Sequence, residues 1–121
     1  MLKNYLSIIP KGYEWFIDKK LVGFDAFTQL QPWYFVSSEE IFWATESWPD
    51  IVNEKLLVFA RRQDNDDLAC FSVKDDKVVG IFLIQGWINN GFEVIKKFED
   101  FWEWAKFVID DIAEWSSLES E

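Results

Sequence analysis

The chain has no histidine and a single cysteine, Cys70, in 121 residues. Without an imidazole, Ser-His-Asp and Cys-His nucleophilic mechanisms and all histidine–metal sites are excluded. One cysteine excludes an intrachain disulfide framework and a multi-cysteine zinc site. Cys70 therefore reads as a small buried hydrophobe. Positive charge is also scarce, with 12 Lys and Arg against 22 Asp and Glu and a net charge of −10. Phosphate contacts need clustered cations, so direct binding to nucleic acid or to an anionic membrane surface is disfavoured. No apolar run approaches the eighteen or so residues of a membrane span. Residues Met1 to Tyr5 carry neither the apolar stretch nor the small-residue cleavage site of a signal peptide, so a cytoplasmic location is expected.

Apolar residues make up half of the chain and aromatic residues 19%, with eight Trp. That is too apolar for disorder, and the length suits one domain spanning residues 1–121 with a core of its own. Acidity is concentrated at one end. Residues 98–121 hold Lys106 against eight acids, whereas residues 61–97 hold six of each sign. Such a field favours encounter with a basic protein partner, and it also serves solubility.

Tyr5 to Lys20 reads as a short helix with Pro10 in its first turn. Residues 23–31 read as loop, and Trp33 to Val36 as an aromatic strand entered through Pro32. Ser37 followed by Glu40 fits a capping box, predicting a helix through Ile41, Phe42 and Trp43 that Pro49 ends. The apolar runs 55–60 and 68–73 flank a polar turn and form a hairpin. Lys74 to Lys77 makes a second turn. Val78 to Gln85, the most apolar run, is expected as the central strand, and Phe92 to Ile95 as a further one. Phe98 to about Trp115 repeats apolar residues at three and four, which predicts a helix, followed by a frayed tail from Ser116. The expected class is α+β: a mainly antiparallel meander packed with helices.

Residues 56–71, from Leu56-Leu57-Val58-Phe59-Ala60 through the polar turn to Leu68-Ala69-Cys70-Phe71, resemble the Smi1/Knr4 (SUKH) superfamily. So do, in order, Ile8-Ile9-Pro10-Lys11-Gly12-Tyr13-Glu14-Trp15-Phe16 upstream, Ser38-Glu39-Glu40-Ile41, Val78-Val79-Gly80-Ile81, and Phe98-Glu99-Asp100-Phe101-Trp102. The resemblance implies an α+β fold and a non-enzymatic role without cofactor or metal. Bacterial members look like immunity proteins that bind and block a toxin domain, often a nuclease. Fungal members are regulatory interaction proteins, which is the alternative implied here.

Several residue groups could carry chemistry. Asp64-Asn65-Asp66-Asp67 lacks the glycine and closing glutamate of a calcium loop and reads as a solvated turn. Arg61 and Arg62 could grip an anion, but pairing with the hairpin's own acids is the commoner fate. No spacing singles out a carboxylate pair for acid–base catalysis. On a wheel of the last helix, Phe98, Phe101, Trp102, Ala105, Ile109 and Ile112 form the expected core stripe. Glu99, Glu103, Asp110 and Glu114 lie opposite. Asp100, Trp104, Phe107, Asp111 and Trp115 form a flank between them, where acids would steer and aromatics anchor a basic partner. Asp100, Glu103, Trp104, Phe107, Asp110, Asp111 and Trp115 are thus the candidate partner-binding residues. The competing expectation is that the N-terminal segment or the tail covers Trp104 and Trp115. A second aromatic group, Trp33 and Tyr34 with Trp43 and Trp48, is a lesser candidate, since Trp43 and Trp48 do not share a helix face.

Overall fold

This computed structural model describes residues 9–37, 39–44, 55–88 and 91–119. The elements are α1 (Lys11–Asp18), β1 (Trp33–Phe35), β2 (Phe42–Trp43), β3 (Lys55–Arg62), β4 (Asp67–Lys74), β5 (Lys77–Ile88), β6 (Gly91–Phe98) and α2 (Phe101–Glu119). The six strands form one antiparallel sheet in the order β1-β3-β4-β5-β6, with β2 also paired to β3. Among the described residues, helices α1 and α2 pack on it, as the α+β reading anticipates.

Local chemistry accounts for most of these elements. Pro10 precedes α1 at φ −55°, where its missing N–H costs nothing, and its carbonyl accepts the Glu14 N–H at 3.2 Å. Asp75 and Asp76 both have positive φ, at 52° and 65°, as a two-residue type I′ hairpin turn requires, and Asp tolerates that conformation. Arg61 and Arg62, expected in the first turn, instead extend β3 and pair with Tyr34 and Trp33 of β1.

Four expectations are corrected. The most apolar strand is not central: β4 occupies the middle and β5 lies between β4 and β6. Apolar runs report burial of both faces, and residues 56–60 of β3, 68–73 of β4 and 80–84 of β5 are all buried. Secondly, Ser37 does not start a helix through Phe42 and Trp43. Its carbonyl closes a turn with the N–H groups of Glu40 and Ile41, and Phe42 and Trp43 then pair with Val58 and Leu57. β1 spans only three residues, so the edge of β3 at Leu57 and Val58 is open to β2, and that pairing outweighs the local capping signal. Residues 45–50 of the expected helix, like residues 5–8 of the first, lie outside the described residues. Thirdly, Phe98 closes β6 opposite Ile81 rather than opening a helix. α2 starts at Phe101 with Asp100 as its cap, whose Oδ1 accepts the Glu103 N–H at 2.9 Å. Finally, that helix runs on through Ser116 to Glu119 instead of fraying.

A cluster of buried aromatic rings sits between the sheet and the helices. Phe59 is the extra residue of a bulge between Val58 and Ala60, which aims its ring at the helices. It stacks on Phe71 at 4.0 Å and meets the edge of Trp104 at 5.0 Å, while Tyr13 stacks on Phe35 at 4.9 Å. Gly12 permits the close approach of α1 to α2: a Cβ there would lie 2.5 Å from Phe101 Cδ2. Burial pushes the Tyr13 hydroxyl up to about 12 and also raises the thiol of Cys70, which is fully buried and unreactive on that account.

Candidate interaction surface

α2 decides where the candidate residues go. Its buried side is Phe101, Trp104, Ala105 and Val108. The expected stripe is therefore rotated by about 60°, taking 100° per residue. Placing Phe98 in the helix pulled the stripe towards Trp102 and Ile109, which are in fact 48% and 57% exposed. Trp104 is 0% exposed and is removed from any surface role: it packs against Phe59, Phe101 and Trp33. Its indole Nε1 has no hydrogen-bond partner among the described residues.

The rest of the expected flank divides. Phe107 is half-buried, 5.3 Å from Phe98, with the Lys96 ammonium 5.3 Å from its ring. Asp111 is pinned: its Oδ2 accepts the Trp33 Nε1–H at 2.9 Å and Arg62 Nη1–H at 3.0 Å. Trp115 is half-buried beside them on the wheel. Phe107 and Asp111 tie the helix to the sheet. Asp100, Glu103 and Asp110 stay exposed, as does Glu114. The structure thus keeps three of the four candidate acids, Asp100, Glu103 and Asp110, at the surface, and takes Asp111 and the aromatics wholly or partly inward.

Arg62 is the hub of a charged cluster. Its Nε–H donates to Asp64 Oδ1 at 2.6 Å while its Nη1–H reaches Asp111. Burial, opposed by Arg62 and reinforced by Asp64, Asp111 and Asp66, raises the carboxyl of Asp67 above the usual range. Asn65 Oδ1 accepts the Asp67 N–H, so the acidic turn is bonded within itself. Among the described residues, no group of three or more Asp, Glu or Cys is placed to hold a metal, and no helix is long and apolar enough to cross a membrane.

Outward-facing apolar residues were missed by sequence reasoning. Trp15 of α1, 48% exposed, stands 6.5 Å from Trp102, and Ile109 follows Trp102 two turns along α2. Locating Asp100 as the cap would have set the wheel's phase and exposed both. Phe27 is 76% exposed at φ 63°, unusual for a bulky residue, with its N–H donated to Gln63 Oε1 at 2.7 Å. No sequence signal marks it. Of the second aromatic group, Trp33 is buried, Tyr34 and Trp43 are half-buried, and Trp48 lies outside the described residues. An open cavity of about 300 Å³ lies between the N-terminal ends of the helices and β5, floored by Phe71, Ile81 and Phe101 and rimmed by Lys77, Glu99 and Asp100.

Comparison with known protein families, curated proteins and solved structures finds no match to this chain.

Proposed function

We propose that this chain is a non-enzymatic immunity protein, which binds a cognate toxin domain in the cytoplasm and neutralises it by covering a basic groove. The observation that carries this reading is the outer ridge of α2. Glu103, Asp110 and Glu114 line it, and Lys106 is the helix's only cation. A nuclease groove is positive because it holds phosphates, so an acidic face competes for it and speeds encounter. The resemblance to the Smi1/Knr4 superfamily supports the same direction. A regulatory interaction module would use the same surface without silencing a toxin.

Co-expression with the products of the flanking genes tests the reading. A basic domain recovered in one-to-one complex, toxic alone and silent with this chain, is the expected result. A folded flanking product whose toxicity persists at saturating amounts of this chain overturns immunity and leaves the regulatory role.

A further inference from the structure

The outer side of α2 carries an apolar strip beside its acids. Trp102 and Ile109 are seven residues apart, so they lie two turns and about 10 Å from each other on nearly one line. Trp15 extends the strip from α1, brought there by the close helix contact at Gly12, whose Cβ would meet Trp102 Cε2 at 3.1 Å. Each of the three is about half exposed. Glu103 and Asp110 run parallel to the strip about 100° further around the helix, with exposed Lys106 as the one cation between them. Large apolar side chains in a row, each leaving much of its area in water, are what a partner's helix buries.

The charge pattern selects the occupant. A second copy of this chain would bring another acidic ridge against the first, and residues 98–121 alone carry eight acids against one lysine. Nucleic acid and anionic lipid are repelled by the same field. We infer that the strip Trp15–Trp102–Ile109 is a docking face for an amphipathic helix of the protein partner, apolar at i, i+3 or i+4 and i+7 and flanked by Lys or Arg. The apolar positions meet the strip and the flanking cations meet Glu103 and Asp110. This rests on the reading of the chain as a binder of a basic protein, and it names the segment of that protein that is recognised.

The probe is a fluorescein-labelled Lys/Leu peptide of about five helical turns with leucines on one face, set against a same-composition peptide with the leucines scrambled. The whole chain is titrated with each, in low and physiological salt. The expected result is binding of the amphipathic peptide about tenfold tighter than the scrambled one. Ile109→Gln removes most of that preference with the melting temperature retained, since Ile109 is mostly exposed. Glu103→Gln with Asp110→Asn weakens both peptides together. Equal binding of the two peptides, absence of binding, or a preference that survives both Ile109→Gln and Trp102→Gln overturns the inference. A neutralised flanking toxin without peptide preference sinks the docking face and spares the immunity reading. Peptide preference at the strip without any neutralised toxin does the reverse.

Discussion

The two flanks of α2 have nearly the same composition and opposite fates. On one, Phe107 and Asp111 lean on the sheet, with Asp111 bonded to Trp33 and Arg62, and Trp115 is half-buried beside them. On the other, Trp102 and Ile109 face outward beside Glu103 and Asp110. Both mix acids with large apolar side chains, so composition cannot tell a clamp from a docking face. What separates them is whether a donor waits opposite the carboxylate. Asp111 finds an indole N–H and a guanidinium, whereas the exposed acids face water.

The most disruptive way to break the buried side is Trp104→Ala. Its ring fills the junction of Phe59, Phe101 and Trp33, so truncation is expected to cost about 3–5 kcal/mol, read as a drop in denaturant midpoint at unchanged slope. Trp104→Phe should cost far less than its lost volume suggests, because it also removes a buried indole N–H that has no partner among the described residues. A surface anchor would behave otherwise, with either change leaving stability alone.

Next in size is Asp111→Ala. It leaves the buried Trp33 Nε1 without an acceptor and Arg62 with Asp64 alone, for an expected loss of about 1–3 kcal/mol. Asp111→Asn keeps an acceptor for the indole and should lose less. Thermal melts of the two variants separate the hydrogen bond from the charge.

These contacts also mark how far the sequence could be read. The meander, its turns and the existence of both helices follow from local pattern: alternation, turn-prone Asp and Asn, and three–four spacing. The tie between Trp33 and Asp111 spans 78 residues and has no local signature. β2 was illegible for a related reason, since Ser37 and Glu40 carry a valid helix-start pattern that the open edge of β3 overrides. The phase of α2 was legible in principle. Asp100 is a good cap three residues before Glu103, but Phe98 continues the apolar spacing across the strand end and hides the boundary. One misplaced aromatic was enough to turn Trp104 into a surface candidate and Trp102 into core.

A smaller effect sharpens the comparison through pH. The carboxyl of Asp67 is raised in the folded chain, mainly by burial, with Asp64, Asp111 and Asp66 adding to it against Arg62. A carboxyl whose folded pKa lies above its unfolded value favours folding below the ordinary carboxylate range. That contribution is lost as pH rises through the folded pKa. Asp67→Asn is therefore expected to be slightly more stable than the parent at pH 7, with the gain closing as pH falls through the carboxylate range. In an Asp111→Asn background one of the raising charges is gone, and the gain should shrink. A gain that is independent of pH would place its origin in the turn rather than in the buried carboxyl.

The exposed flank should show the least. Glu103→Gln, Asp110→Asn and Glu114→Gln together remove three charges from a ridge where the acids face solvent. The Asp100 cap is untouched. The melting temperature should hold within about 2 °C, or rise slightly as like-charge repulsion along the helix is relieved. Partner association should slow markedly at low salt, with the difference closing at high ionic strength. The test against Asp111 is direct: equal acids on one helix, one setting stability and three setting encounter. If the triple variant melted as low as Asp111→Ala, the ridge would be part of the scaffold, and the acidic face would have no charge left over for a partner.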